Sequence, residues 1–334
     1  MNRSLAAALV LGLGTLTAAA AADYKSEFAM SVVVSEQAPW GRAAARFAEA
    51  VRYRTQGRIN IRNHYDSRLL ADRQTTEFQL LSEGVADFAI GSTINWSAQV
   101  KELNLFSLPF MFPSYRAIDA VQSAEPGRRL FKLIEQKGVI AIAWGENGFR
   151  ELTNSRRPIR RPEDLHGLRV RVVGIPIFID IVRAFGASPV SMNWGEAVEA
   201  IRQGRLEAQE NPVWLIVPYR VWQAHKHVTL WHCTIDPLIL GVSAKTWAGL
   251  SREDQAIVRK AGAEVMALEK KESREGVEGD LDTLQKIYGM DEVHLSSSVL
   301  KAFRDRTHAV YAKWSEEIGI DLVHATEKII EGSR

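Results

Sequence analysis

Hydrophobic and polar residues alternate along the chain in a regular order of strand-like and helix-like segments. The first series has five segments: a β-rich run, an amphipathic helix that starts at a proline, an alternating strand, a second helix and an apolar strand. Their predicted ranges are 27–34, 39–54, 58–63, 73–81 and 85–90. Strands that alternate with helices in this way are typical of a parallel sheet, so this part of the sequence predicts an α/β unit.

A second series with the same alternation follows the predicted strand 139–144. Its strands and helices have the predicted ranges 169–173, 177–185, 189–192, 196–203 and 206–209. From residue 251 the pattern is helical, with Ser251 as a cap and no proline before the end of the sequence. We therefore expect two α/β lobes and a long C-terminal helical tract that braces both.

The N-terminal segment has the features of a secretory signal. Arg3 precedes an apolar stretch at 5–16, and small residues at 18–22 suit a cleavage site. An uncleaved membrane anchor is the alternative, but the apolar stretch is shorter than the roughly 20 residues that span a bilayer. We expect a cleavable signal over residues 1–22 and an exported protein, most simply a periplasmic one.

The composition is that of a globular chain. It has 334 residues, 46% of them hydrophobic and 25% charged, which is enough for two lobes with their own cores. The formal charge of +2 falls by one without Arg3, so no overall basic field favours nucleic acid or anionic membranes. The single cysteine, Cys233, excludes an internal disulfide. We expect a soluble monomer that handles any charged ligand locally.

The sequence lacks the common catalytic signatures. It has no Walker lysine motif, no GxSxG elbow and no HExxH zinc motif. The S-x-x-K spacing at 298–301 is better explained as a helix cap. The basic run at 156–161 is interrupted by proline and predicts a solvated loop. We expect no cofactor and no nucleic-acid partner.

One cluster of residues has metal-ligand chemistry. It consists of His225, His227, His232 and Cys233, whose imidazoles and thiolate could bind zinc. The alternation between 227 and 232 predicts a strand, on which these side chains need not converge. We therefore expect no metal site.

An arginine lies near a predicted strand end in the second series. In RVRVV, 169–173, alternation places Arg169 and Arg171 on one face, with Arg171 nearer the C-terminal end. Ligands of open α/β sheets bind beyond that end, where a guanidinium can bind a carboxylate through two parallel hydrogen bonds. A structural ion pair is the alternative. The stretch GRLEAQENP, 204–212, contains the last predicted strand of this series. It places polar residues where a buried strand would have apolar ones.

Several segments resemble the DctP-type solute-binding subunits of TRAP transporters. They are HGLRVRV, GASPVSMNWGEAVEAIRQG, AQENP, WGENGFRELTNS and VADFAIGS, in family order over essentially the whole chain after the signal. The resemblance implies a type II-like periplasmic binding protein: two α/β lobes, hinge strands, a long bracing helix and an enclosed ligand that undergoes no chemistry. We expect a first lobe at 23–147, completed by about 235–275, and a second at 148–234, completed by about 276–334.

The resemblance also implies roles for residues of the second lobe. Arg171 matches the arginine that forms the family's salt bridge to the substrate carboxylate, and Arg150 matches a second arginine that reaches it. Asn211 matches an asparagine that donates to this carboxylate, and Trp194 an aromatic residue that packs over the ligand. Glu210 is expected to brace an arginine or the loop, so it is left out of the predicted site.

The first lobe offers weaker candidates. Ser92 stands where sialic-acid-binding members have an acidic residue, which argues against sialic acid. Further candidate contacts are Glu36 and Trp40 in VVSEQAPW and Asn95 and Trp96 in INWS, although the aromatic residues could equally belong to the core.

Together, the residues and the resemblance predict a periplasmic binding protein for a small organic acid, either a monocarboxylate or a dicarboxylate. Its expected partners are the membrane subunits of a TRAP transporter driven by an ion gradient. One alternative is a binding protein for an ABC importer or a sensor kinase. Another is a secreted enzyme, for which the sequence places no paired general acid and base.

Overall fold

The computed structural model describes residues 24–71 and 73–333, so the predicted signal, residues 1–22, lies outside the described residues. Within them the strands are β1 (Phe28–Val32), β2 (Ile61–His64), β3 (Phe88–Ser92), β4 (Val139–Asn154), β5 (Arg169–Val172), β6 (Ser188–Ser191), β7 (Ala208–Asn211), β8 (His227–Ser243) and β9 (Asp291–His294). The helices are α1 (Pro39–Arg54), α2 (Glu77–Glu83), α3 (Thr93–Trp96), α4 (Tyr115–Ser123), α5 (Glu125–Gln136), α6 (Pro176–Ala184), α7 (Trp194–Arg202), α8 (Ala244–Gly249), α9 (Arg252–Lys286), α10 (Ser297–Ile318) and α11 (Ile320–Gly332).

The predicted alternation of strands and helices is confirmed in both series. The helix predicted at 39–54 coincides with α1, and the predicted strand 169–173 is β5 to within one residue. The last predicted strand, 206–209, lies two residues later in the structure as β7. This shift places Asn211 at the end of the strand rather than in the loop beyond it.

Two sets of parallel strands lie at opposite ends of one mixed sheet. The order is β2-β1-β3-β8-β4-β7-β5-β6, with β9 beside β8. The sets β2-β1-β3 and β7-β5-β6 are each parallel, while β8 pairs antiparallel with β3 and β4 antiparallel with β7. We call the part around β1, β2 and β3 the first lobe and the part around β5, β6 and β7 the second lobe.

The long strands β4 and β8 connect the lobes. They are 16 and 17 residues long and pair antiparallel along most of their length; the end of β8 pairs with β3 of the first lobe, and the end of β4 pairs with β7 of the second lobe. Their pairing is irregular between Glu146 and Gly148 and between Arg150 and Leu152. Such irregularities bend strands locally, and these lie where the chain passes from one lobe to the other.

Helix α9 braces both lobes, as the helical pattern predicted. It begins at the Ser251 cap, whose Oγ accepts a hydrogen bond from the Asp254 amide at 3.1 Å. Its 35 residues lie against α1 and β4 and also reach the 3-10 turn Val213–Leu215 and β9. The helical tract is shorter than predicted, since β9 interrupts it before α10. Among the described helices, none has both the length and the apolar composition of a membrane span.

Trp96 belongs to the core of the first lobe. It is fully buried, and its indole Nε1 donates a hydrogen bond to the Glu77 carboxyl at 3.1 Å. The indole occupies the space beside Gly91 and Gly241, where an added Cβ would lie 2.0 Å and 2.6 Å from its ring atoms. Burial raises the pKa of Glu77 to about 8. Of the two interpretations left open for this tryptophan, the structure therefore shows the core position.

We predict that Gly91→Ala lowers the free energy of unfolding by about 1–3 kcal/mol, the usual range for overpacking a core. The new methyl group would overlap the Trp96 indole, which has no free space to move into. Urea denaturation measures the change. The control is Gly276→Ala at an exposed position of α9, where nothing lies within 4 Å of the added Cβ. This substitution should be neutral or stabilising. Equal urea midpoints for Gly91→Ala and the parent would contradict this packing.

Candidate functional site

A cavity lies between the two lobes at the carboxyl ends of both parallel sets. About 410 Å³ of space not occupied by protein atoms lies among its lining residues, open solvent included. The first lobe contributes residues at or after the ends of β1 and β3, the second lobe those at or after the ends of β5 and β7, and the connecting strands polar side chains from their middle. The lining residues are Val33, Val34, Trp40, Gln74, Ser92, Ile94, Asn95, Asn147, Arg150, Arg171, Val173, Trp194, Asn211, Trp214, Leu215 and Asp236.

Arg171 is the most deeply buried cation of this cavity, at 1% exposure. Its Nε and Nη2 donate hydrogen bonds of 3.0 and 2.9 Å to the Met192 carbonyl oxygen, and the guanidinium lies 5.5 Å from the Trp194 ring centroid. Burial lowers its pKa to about 9, an effect that the charge of Glu210 partly offsets. Within the described chain, no carboxylate forms an ion pair with it. The site therefore contains a desolvated positive charge without a direct counter-ion.

Arg150, in contrast, already has a carboxylate partner. Its Nε and Nη2 donate to the two carboxylate oxygens of Glu210, the latter at 2.8 Å, and Nη2 also donates to the Glu210 carbonyl oxygen. This two-point pair is strong and orients the guanidinium plane. The prediction that Glu210 braces an arginine is confirmed. Arg150 lines the cavity, but the Glu210 carboxylate largely neutralises its charge.

Asn211 belongs to a buried chain of hydrogen bonds in the second lobe. Its Nδ2 donates to Gln209 Oε1 at 2.7 Å, and Gln209 Nε2 donates to Thr153 Oγ1 at 2.8 Å. Thr153 Oγ1 lies 2.9 Å from Nδ1 of His225, whose pKa burial lowers to about 4. One of the two Nδ2 protons of Asn211 is thus used within the chain, and the chain fixes the orientation of the amide.

Trp194 contacts the first lobe through its backbone. Its amide N–H donates to Gln74 Oε1 at 2.9 Å, and Gln74 Nε2 donates to Asn95 Oδ1 at 2.9 Å. Gln74 lies just before α2 in the first lobe, whereas Trp194 begins α7 in the second. Gln74, a residue that the sequence did not indicate, therefore connects the two lobes directly beside the cavity.

The wall of the first lobe is organised by Asp236, which the sequence also did not indicate. The carboxylate on β8 accepts from Ser92 Oγ, 2.8 Å from both of its oxygens, from Thr93 Oγ1 at 3.0 Å and from Asn147 Nδ2 at 2.7 Å. Asn147 Oδ1 in turn accepts from Trp214 Nε1 at 3.1 Å. Ser92 thus lines the cavity, with its hydroxyl directed to Asp236.

The structure brings most of the predicted site residues together. Those that line the cavity are Arg171, Arg150, Asn211, Trp194, Ser92, Trp40 and Asn95. Glu36 and Trp96 do not, because Glu36 is exposed in the turn before α1 and Trp96 packs inside the first lobe. The only sequence signal for Glu36 was its position in a loop near the predicted cleft. Side chains of such a loop can face either the cleft or the solvent.

A sequence signal did exist for Asp236, one of the residues that were not predicted. Asp236 is the single charged residue in the otherwise apolar run IDPLILGV at 235–242, and a charge inside a buried strand requires partners. Asn147 also lies inside a strand, but within the stretch GENG at 145–148, which is not apolar, so no such signal marks it. Gln74 has no such signal, because it lies in a short polar turn of ordinary composition.

The histidines of the metal-like cluster have separate partners. His227 Nδ1 lies 3.1 Å from Asp291, His232 Nδ1 lies 2.6 Å from Glu151, and Cys233 is buried. No group of three metal-ligating side chains converges anywhere in residues 24–71 and 73–333. The serine run before Lys301 caps α10, since Ser296 Oγ accepts from the Val299 amide.

Comparison with known proteins identifies the family. The sequence model described as bacterial extracellular solute-binding protein, family 7, or DctP, matches residues 30–317. The chain belongs to this family.

Solved structures and curated relatives agree with this assignment. A TRAP periplasmic solute-binding protein from Ralstonia eutropha, solved with (S)-2-acetolactate, is 42% identical, with 92% of this chain and 100% of that chain covered and a TM-score of 0.91. Another from Sulfitobacter, solved with β-D-galacturonate, is 27% identical over 90% and 99% of the two chains, with a TM-score of 0.85. A solute-binding protein from Roseobacter denitrificans is 30% identical over 92% and 95%. This DctP-family protein is therefore a substrate-binding protein and not an enzyme.

We predict that Gln74→Ala weakens ligand binding to this DctP-family protein roughly two- to tenfold, because one hydrogen bond contributes about 0.5–1.5 kcal/mol net. The loss should lie mainly in faster dissociation, since the bond to Trp194 can form only when the lobes are together. Stopped-flow or surface-plasmon measurements give both rate constants. Gln99→Ala is the matched control, because Gln99 bonds to Thr75 within the first lobe. Equal dissociation rates for the two variants would contradict a role between the lobes.

We predict that His225 makes folding sensitive to acid. Between about pH 6.5 and 4 the unfolded chain binds a proton at this histidine that the folded protein does not, so the free energy of unfolding falls as the pH falls. The full shift corresponds to roughly 3 kcal/mol. Urea denaturation at pH 4–7 should show a flatter pH dependence for His225→Gln than for the parent. His308→Gln, at an exposed position, should leave the dependence unchanged; parallel profiles for parent and His225→Gln would refute the prediction.

Proposed function

We propose that this protein captures a small organic acid by pairing the acid's carboxylate with Arg171, and that it delivers the acid to the membrane subunits of a TRAP transporter. The observation that carries the proposal is the Arg171 guanidinium, which is buried in the cavity and has no carboxylate partner in the described chain. A buried charge is costly unless it is paired. A ligand carboxylate would supply the missing partner.

The surroundings of Arg171 favour a carboxylate over other acceptors. One edge of its guanidinium is bound to the Met192 carbonyl, which fixes the plane of the group and leaves the Nη1 protons and the second Nη2 proton for a two-point contact with the ligand. Arg150 and Asn211 line the same cavity, so further N–H donors are available to the same anion. Charge-assisted hydrogen bonds to carboxylates are about twice as strong as neutral ones.

The dimensions of the cavity favour a small ligand. The empty space among the lining residues is only about 410 Å³ even with open solvent included, so the closed lobes can enclose only a small ligand. The indoles of Trp40, Trp194 and Trp214 provide apolar surface beside the polar donors. The 42% identical relative from Ralstonia eutropha was solved with (S)-2-acetolactate, a short hydroxylated oxo acid, which supports an acid of that size for this protein.

Capture involves closure of the two lobes around the ligand. The cavity is lined from both lobes and from β4 and β8, which connect them and have irregular pairing at the crossing. Hinge motion of strands at such a crossing is a common way to enclose ligands. The Gln74 to Trp194 hydrogen bond then stabilises the closed arrangement.

Membership of the family supports delivery to a TRAP transporter. The relatives that are TRAP periplasmic solute-binding proteins support export of this protein to the periplasm, consistent with the signal predicted at 1–22. We expect the protein to act as a monomer, and we expect genes for TRAP membrane subunits beside its own. Genes for an ABC importer or a sensor kinase in that position would favour those partners instead.

The test of the proposal is a series of substitutions at Arg171. A thermal-shift screen of organic acids first identifies a ligand, since ligand at about 100 times Kd adds roughly 2.7 kcal/mol to stability. Arg171→Ala should then weaken binding by about 2–5 kcal/mol, or thirty-fold to several thousand-fold. Arg171→Lys should recover only part of the affinity, because an ammonium keeps the charge and loses the planar geometry. Isothermal titration calorimetry measures each affinity.

Arg169→Ala is the control for this series. Arg169 begins the same strand, yet it is exposed, so its removal should change the affinity little. If Arg171→Ala binds the same acid within about threefold of the parent, a difference too small for such a pair, then Arg171 is structural and the proposed capture mechanism is wrong.

A further inference from the structure

We propose that Asp236 is a specificity-determining residue, whose buried carboxylate restricts the ligand to acids with a single carboxylate and excludes dicarboxylates. The inference rests on the proposed function, because it concerns the end of the ligand that is not bound by Arg171. It narrows the sequence prediction, which admitted both classes.

The environment of Asp236 is that of a carboxylate anion. It is 1% exposed and lines the cavity. Its hydrogen-bond partners, the hydroxyls of Ser92 and Thr93, the Asn147 amide and the Ile94 backbone N–H, all act as donors to it. An ionised carboxylate is an acceptor only and can use all four donors. A negative charge is therefore held at this wall of the cavity.

The formal charges at the cavity sum to zero, but both carboxylates lie within 4 Å of Arg150 and none in the described chain lies that close to Arg171. Arg150 and Arg171 are positive, while Glu210 and Asp236 are negative. Glu210 pairs with Arg150, and Asp236 lies 3.9 Å from Arg150 Nη1. A first ligand carboxylate can pair with the Arg171 guanidinium, which has no ion-pair partner in the described chain. A second carboxylate finds no further cation among the described lining residues, so it would be buried without compensation.

The position of Asp236 decides which part of the ligand meets it. Arg171 lies on β5 of the second lobe, whereas Asp236 on β8 is bound by Ser92 and Thr93 of the first lobe and by Asn147 of β4. A ligand that is held by its carboxylate at Arg171 and enclosed by both lobes therefore directs its other end towards the first lobe. There the nearby donors already serve Asp236, and like charges in a water-poor site repel each other strongly. An uncharged end, such as a methyl, hydroxyl or oxo group, meets no such penalty.

The experiment compares acids that share a skeleton and differ only in the charge of the far end. The probes are 2-hydroxybutanoate, malate and malate 4-amide, with the longer set 2-hydroxypentanoate, 2-hydroxyglutarate and its 5-amide, titrated by calorimetry at pH 7.5. In the parent, we expect the amide and the monocarboxylate to bind at least tenfold more tightly than the dicarboxylate of the same set. The amide matches the dicarboxylate in size, so a parent protein that binds both equally would overturn the inference without any variant.

The variant Asp236→Asn keeps the size of the side chain and removes its charge. We expect it to narrow the ratio between monocarboxylate and dicarboxylate affinities at least tenfold. Asp87→Asn is the matched control: Asp87 is also buried and accepts several hydrogen bonds, but it precedes β3 at the end opposite Ser92. It should leave the ratio as in the parent. Melting curves report whether each variant is folded.

The outcomes separate this inference from the proposed function. If none of the six acids binds the parent, the proposed small-acid ligand is wrong and the inference fails with it. If acids bind and Arg171→Ala abolishes binding, but folded Asp236→Asn keeps the parent's ratio, the inference alone is wrong. A change of the ratio in Asp87→Asn equal to that in Asp236→Asn would likewise overturn it.

Discussion

The guanidinium of Arg171 is buried without a carboxylate partner in the described chain, and much of the site is arranged around this charge. The Met192 carbonyl accepts its hydrogen bonds, and the Trp194 ring lies beside it. The Glu210 carboxylate, which pairs with Arg150, also stabilises the positive charge of Arg171 electrostatically without forming an ion pair with it. These contacts reduce the cost of burying the charge without neutralising it directly. The folded protein therefore retains a buried positive charge with which a small anion can pair.

The topology brings that charge to a place where a ligand can be enclosed. Parallel strands direct their carboxyl ends to one side of a sheet, and here the two parallel sets direct them towards the same cavity from opposite lobes. The strands β4 and β8 pass between the lobes and bring Arg150 and Asp236 to the cavity lining. Binding groups and hinge thus belong to the same two strands, so movement of the lobes and arrangement of the site are coupled.

Buried carboxyl groups secure the connecting strands to the long helix. Glu269 on α9 accepts a hydrogen bond from the Glu146 amide at 2.9 Å, and Arg274 on the same helix donates to the Glu146 carboxylate at 2.9 Å. Burial raises the pKa of Glu146 to about 7 and that of Glu269 to about 8. The contacts lie at the irregular pairing of β4, so the helix holds the crossing where hinge motion would occur.

Local patterns in the sequence determined the strands and helices of both lobes and the second-lobe half of the site. Arg171 lies within a strand that alternation itself predicts, Asn211 lies two residues beyond the end of another, and the family resemblance added their roles. Only the tertiary structure decided the positions of Asp236, Gln74 and Trp96. Their neighbours come from distant segments of the chain. Asp236 on β8 accepts a hydrogen bond from Ser92 at the end of the neighbouring strand β3, and Gln74 accepts one from Trp194 across the cleft. Trp96 fills the space beside Gly91 and Gly241. Periodicity reports which face of an element is buried, whereas contact partners depend on how the elements pack.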